Sequence, residues 1–319
     1  MIFIQRFFKW LIIFLFLTFF ILSIIPYFFS NQLKESSNKP FHNSYFFTYN
    51  HTKFHFRLFV PKLIKHKALL IHGFSASTFS FRNNIDTLVN NNTLVVAMDM
   101  PAFGYSDKSA HANYTDTNKI NAIHFLLNHI DQSSNTIKWH LVGHSMGGSV
   151  IGQYASKFSE QIQSLIFIDG LPFSQTHSIF QSLALYPPLL KWADVILEHK
   201  FLNIKSFQEL LSSAYSKDAD IESATGYMKP FEVNNSGSAI FRMAAHSGYS
   251  NTNDSVINSI PKLIIWGKND QWIPITNATS YLNKSNTQSF IIEDAGHCPM
   301  ETHSQKVNKA ISDFISKLE

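Results

Sequence analysis

From Trp10 to Phe29 the chain reads WLIIFLFLTFFILSIIPYFF, without a single charge. As a helix these twenty residues extend about 30 Å, the thickness of a bilayer's hydrocarbon core. Trp10 and Tyr27 stand near its two ends, where amphipathic rings favour the headgroup region, and Pro26 marks a place for a helix to stop. Residues 1–30 are therefore expected to form an uncleaved membrane anchor. A secretory signal is the alternative, since Arg6 and Lys9 supply a basic start. Against it, the apolar run exceeds the usual ~7–15 residues and no A-x-A-like site follows. Arg6 and Lys9 precede the span while Lys34 and Lys39 follow it, so flanking charge is balanced. The free amino terminus tips the expected orientation to N-inside, with the rest of the chain on the outer side. Residues 31–44, polar and turn-rich, read as a tether.

Beyond the tether the pattern changes to short aliphatic and β-branched runs alternating with longer helical patterns. Strands are expected at Phe54–Val60, Ala68–Ile71, Thr93–Met98, Trp139–Val142, Leu165–Ile168, Leu263–Trp266 and Phe290–Ile292. Most are apolar throughout, as strands are when helices cover both sheet faces. Helical periodicity appears at Lys119–Ile130 and Gly147–Phe158, and Val307, Ile311, Phe314, Ile315 and Leu318 form one apolar stripe near the end. Alternation at this pitch implies an α/β fold with a mostly parallel sheet and helices on both faces. Residues 171–258 break the alternation: they hold no convincing strand, and Pro172, Pro187 and Pro188 interrupt helix-like patterns. A structureless loop of that length is improbable in a compact domain, so an inserted helical cap is expected. The core would then comprise 45–170 and 259–319.

Composition narrows the function. Apolar residues make up 45% of the 319 and charged ones 15%, with 26 Lys+Arg against 22 Asp+Glu. That excludes a disordered chain. The small positive balance is spread along the chain without a basic block, which argues against a nucleic-acid partner. One cysteine, Cys298, allows neither an internal disulfide nor a multi-cysteine metal site.

The strongest chemical signal is Gly143-His144-Ser145-Met146-Gly147, which fits G-x-S-x-G after an apolar strand and before a helical pattern. A serine in such a strained turn needs flanking residues without a Cβ, and the following helix N-terminus favours developing negative charge. A serine hydroxyl also needs a base, and the chain order Ser…Asp…His is available. Asp270 follows the strand Leu263–Trp266, and His297 follows Phe290–Ile292, so parallel strands would deliver both loops to the sheet edge that carries Ser145. Asp169 ends the strand before the insertion and is the alternative acid. The oxyanion donors are expected to be the backbone N–H groups of Met146 and of Phe74, in the loop His72-Gly73-Phe74-Ser75. His72 lacks the companions of a metal ligand, and no dinucleotide or P-loop signature occurs, so neither metal nor cofactor is expected.

These motifs resemble the α/β-hydrolase superfamily over roughly residues 45–319. His72-Gly73-Phe74 is similar to its HG oxyanion loop. Asp99-Met100-Pro101-Ala102-Phe103-Gly104-Tyr105-Ser106 is similar to its D-x-P-G-x-G-x-S turn, departing at Ala102, where glycine is common. Ser145 disfavours the dehalogenase and epoxide-hydrolase branches, which use aspartate at the elbow. The capped group with monoacylglycerol-lipase-like and meta-cleavage-product hydrolases is the nearest likeness. The resemblance implies two-step acyl transfer by Ser145, His297 and Asp270. The cap carries many apolar side chains, including Phe173, Phe180, Tyr186, Trp192, Phe207, Tyr215 and Tyr227, and no basic cluster. An apolar ester or lipid-like substrate is expected. A carbon–carbon bond hydrolase would use the same triad, and a catalytically silent binding or scaffold module would typically have lost one of its members.

Overall fold

A computed structural model describes residues 2–29, 33, 39–131, 137–172, 183–246 and 252–318. Eight strands form one sheet: β1 (Ser44–Tyr49), β2 (Thr52–Phe59), β3 (His66–Ile71), β4 (Thr93–Met98), β5 (Trp139–His144), β6 (Ile162–Ile168), β7 (Lys262–Gly267) and β8 (Thr287–Ile292). Their spatial order is β1-β2-β4-β3-β5-β6-β7-β8. From β4 to β8 every neighbouring pair is parallel, while β2 runs antiparallel to both β4 and β1. All positions of β4, β5 and β7 are buried, so both sheet faces are covered there.

Each expected strand is present; β4 keeps its bounds, β2, β3, β6 and β8 start two or three residues earlier, β5 runs two residues further to His144, β7 gains one residue at each end, and β2 ends at Phe59. The hairpin strand β1 was not anticipated. It pairs with β2 through a two-residue turn in which Asn50 (φ 45°) and His51 (φ 61°) both take left-handed backbone, as a type I′ turn requires. Its run Ser-Tyr-Phe-Phe-Thr-Tyr is half-exposed at the sheet edge and shows no clean alternation.

Twelve helices are described: α1 (Ile2–Ile24), α2 (Ile85–Asn90), α3 (Asp116–Asp131), α4 (Met146–Phe158), α5 (Pro187–Ile196), α6 (Ile204–Tyr215), α7 (Ile221–Met228), α8 (Ser236–His246), α9 (Asp254–Ser259), α10 (Thr279–Leu282), α11 (Pro299–Thr302) and α12 (Ser304–Ser316). The first is long and apolar enough to cross a membrane, with a candidate span of Gln5–Phe28 that is 6% buried. Helices α5 to α8 lie between β6 and β7, and we propose them as the cap. Phe207, Leu211, Tyr215 and Tyr227 from these helices, and Phe231 from the turn between α7 and α8, join the same buried cluster as the sheet. Leu183, Tyr186, Leu189, Phe201 and Phe241 are instead exposed, and Phe173 and Phe180 lie outside the described residues. Helix α9 packs on α4, where the Asn253 N–H donates to Ser156 Oγ at 2.8 Å.

Candidate active site

Strand β5 ends at His144 and α4 starts at Met146, leaving Ser145 alone in the turn with φ 51° and ψ −118°. A residue other than glycine in this region is strained and persists only where its surroundings fix it. Here the Ser145 N–H donates to the Ile168 carbonyl at 3.0 Å, and its own carbonyl accepts from the Gly148 N–H at 2.9 Å. The turn closes only because Gly147 lacks a side chain: a Cβ there would meet the Ile71 carbonyl oxygen at 2.2 Å. The hydroxyl is thus raised above the carboxyl edge of the sheet.

Two later loops reach the same edge. After β7, Asp270 is 4% exposed, and its Oδ1 accepts from the backbone N–H groups of Trp272 (2.8 Å) and Ile273 (2.9 Å). Its Oδ2 lies 2.7 Å from Nδ1 of His297, in the loop after β8, and Nε2 of that imidazole lies 2.9 Å from Ser145 Oγ. The carboxylate sets the tautomer: Nδ1 donates to it, leaving Nε2 to accept from the hydroxyl. Three side chains from three loops therefore form one continuous hydrogen-bonded chain.

Asp169 is brought to the same place but has a different hydrogen-bond partner. Its Oδ1 accepts from the Gly267 N–H at 2.8 Å, and Oδ2 has no hydrogen-bond partner among the described residues. It does not bond His297. Complete burial, with the nearby Asp270 charge adding to it, pushes its carboxyl well above the usual range. One ligand-type atom from each of Asp169, Asp270 and His297 falls within 4.8 Å of the others. Within that group Asp270 Oδ2 and His297 Nδ1 bond each other, and Asp270 Oδ1 is taken up by two backbone amides.

The proposed oxyanion donors lie next to the serine along the chain (Met146) and in a loop packed close to it (Phe74). Met146 opens α4, so its N–H belongs to the first helical turn, which has no intrahelical partner. Phe74 follows Gly73, where a Cβ would meet Ser145 Cβ at 3.1 Å and His144 Nδ1 at 2.8 Å, so the loop backbone approaches the serine closely. The Phe74 ring is 49% exposed and packs edge-on against Phe103.

Several supporting groups have no sequence signature. His144 Nε2 donates to the His297 carbonyl at 2.8 Å, and burial pushes this imidazole down to about 3, so it stays neutral. The His297 N–H donates to the Ala214 carbonyl at 2.7 Å, at the end of α6. The Trp272 ring stands 5.3 Å from that of His297, and its indole N–H donates to Ser213 Oγ. Beneath these, Glu301 accepts from Tyr215 (2.9 Å) and Tyr227 (2.5 Å) and pairs with Arg82, which also donates to Ser223 (2.7 Å). Cys298 beside His297 is buried, and desolvation raises its thiol well above the ordinary range, which leaves it protonated and inert.

Fold and site together define a hydrolase architecture. The chain belongs to the alpha/beta hydrolase fold family, whose model matches residues 69–304. Among curated relatives it is 29% identical over 272 residues to monoacylglycerol lipase abhd6-A from Xenopus laevis, covering 80% of this chain and 77% of that one. Among solved structures it is similar to a meta-cleavage product hydrolase from Pseudomonas fluorescens (TM-score 0.65, 18% identity, 84% of this chain and 96% of that one). A bacterial membrane phospholipase A matches with a TM-score of 0.66 and 19% identity over 98% of this chain and 99% of that one. At these identities the two structures speak for the fold alone.

Proposed function

We propose that this protein is a membrane-anchored serine hydrolase that cleaves a carboxylic ester of an apolar, lipid-like substrate. The observation that carries the reading is the unbroken chain from Ser145 Oγ through His297 to Asp270. In the first step Ser145 Oγ attacks the ester carbonyl while Nε2 of His297 takes its proton. Asp270 holds the imidazole in the required tautomer and balances its positive charge. The Phe74 and Met146 N–H groups hold the oxyanion, a contribution worth about 10²–10³ in rate per donor. His297 then returns the proton to the departing alcohol, leaving an acyl-enzyme on Ser145. Water, deprotonated by the same imidazole, releases the acid and restores the serine.

The substrate class rests on the apolar residues of α5 to α8 and on the likeness to a monoacylglycerol lipase. The anchor rests on α1, whose length and composition suit a bilayer. The test is a series of p-nitrophenyl esters of increasing acyl length, run on the full chain in detergent beside Ser145→Ala. Hydrolysis is expected to favour the longer chains and to vanish in the variant. Activity that survives Ser145→Ala would defeat the mechanism, and a preference for acetate would defeat the lipid-like substrate.

A further inference from the structure

Helix α1 does not stand apart from the rest of the molecule. Its last turns lean on α5. Trp192 Nε1 donates to the Leu22 carbonyl at 2.8 Å, Ser23 Oγ lies 3.2 Å from the Tyr186 hydroxyl, and the rings of Phe19 and Tyr186 stack at 5.9 Å. Phe29 continues the contact against Trp192 and His199. These contacts have a consequence for depth. Phe19, Leu22 and Ser23 belong to the span Gln5–Phe28, and Phe19 precedes its end by nine residues. At 1.5 Å per residue that is about 14 Å along the helix axis. The full span, about 36 Å long, exceeds a ~30 Å hydrocarbon core by only a few ångströms. A helix that touches Phe19 and Leu22 therefore cannot lie in bulk water while α1 crosses a bilayer.

The outer surface of α5 matches that position. Leu189 and Ile196 are 43% and 44% exposed, with Leu183 just before the helix and Phe201 just after it at 56% and 55%. Lys200 and Lys205, after the helix, are exposed and suit an anionic headgroup region. Behind this surface an apolar groove of about 350 Å³ runs from Phe201 and Leu197, past Phe207 and Phe231, to Ser75, the neighbour of the oxyanion residue Phe74.

We propose that the cap is itself seated in the membrane interface, with α5 and the turn after it immersed in the leaflet that α1 enters. A lipid would then pass from the leaflet into the groove beside Phe201 and reach Ser145 without crossing water. The occupant of the exposed face is a glycerolipid leaflet, because the face is continuous with the anchor and shares its depth. The inference rests on the proposal that α1 spans a membrane and adds that the cap follows it in.

The test uses the full chain reconstituted in phosphatidylcholine vesicles, with Leu189→Cys or Ile196→Cys carrying an environment-sensitive NBD label. Lys317→Cys serves as the control position, and the native chain shows that buried Cys298 takes no label. Labels at 189 and 196 are expected to emit at shorter wavelength and to be quenched by lipids bearing a nitroxide near the headgroup, while the label at 317 is not. Labels at 189 and 196 that behave like the one at 317, on a chain that resists carbonate extraction, overturn cap immersion and leave the anchor standing. Carbonate extraction of the unlabelled chain overturns both. Independently, the pair Leu189→Asp and Ile196→Asp is expected to lower hydrolysis of p-nitrophenyl palmitate dissolved in the vesicles at least tenfold and to leave soluble p-nitrophenyl acetate hydrolysis unchanged. Equal rates on both substrates contradict immersion and point to a protein partner on that face.

Discussion

Asp270 divides its carboxylate between two backbone amides and one imidazole, whereas Asp169, a few ångströms away, accepts from the Gly267 amide and lies against the Asp270 carboxylate. The two acids should respond differently to the same isosteric change. Asp270→Asn is expected to lower kcat about 10⁴-fold, because an amide at this position favours the wrong imidazole tautomer. Asp169→Asn should cost no more than a few-fold, since burial already holds that carboxyl in its neutral form and an amide can take the same place. Steady-state kinetics on one ester separates the cases, and a greater loss at 169 would reassign the acid. Ser145, Asp270 and His297 were legible because each follows a recognisable strand and the order of strands fixes the edge they share. What the chain could not reveal is that His144 holds the backbone carbonyl of His297 and Ala214 its backbone N–H. Those contacts join residues distant in sequence and carry no pattern of their own.

Among elements, α6 and α7 are tied to the sheet domain through Glu301. Its carboxyl is buried, which pushes it up, while Arg82 and the two tyrosine hydroxyls draw it back. Tyr227→Phe removes a buried hydrogen bond to this acid and is expected to lower unfolding free energy by about 2 kcal/mol. Urea denaturation of the full chain in detergent measures the change, and an unaltered midpoint would mean that the tie carries no stability. Alternation of apolar runs located seven of the eight strands, and helical periodicity located α3, α4 and α12. The hairpin strand β1 escaped because an edge strand with one solvated face and a short polar turn reads like the end of a tether. The turn after β4 departs from the family pattern at Ala102, yet the backbone keeps the left-handed form (φ 76°) that explains why glycine is common there. Only the coordinates show that the methyl group is tolerated.

For the molecule as a whole, buried histidines set the response to acid. Burial pushes both His140 and His144 down to about 3, so the folded chain keeps them neutral. The unfolded chain protonates them near pH 6.5, so unfolding takes up protons between these values. Their contribution to stability is complete above about pH 6.5 and is lost as the pH falls towards 3, by about 1.4 kcal/mol per pH unit for each ring. Denaturation midpoints at pH 7, 6 and 5 should decline in that order, and His140→Gln should flatten the slope. A slope unchanged by that substitution would remove His140 from the account. The sequence did announce a membrane-length segment, but not that it leans on α5. That relation depends on where the fold carries α5, which no local pattern encodes.

The central claim, that Ser145 is a nucleophile activated by His297, is open to one direct measurement. A fluorophosphonate probe reacts covalently with an activated serine, and mass mapping of the labelled peptide identifies the residue. The expected result is a single adduct on Ser145, formed in the native chain and absent from Ser145→Ala, with labelling slowed at least a hundredfold in His297→Gln. An adduct on another residue, or labelling of Ser145 at the native rate without the imidazole, would contradict it.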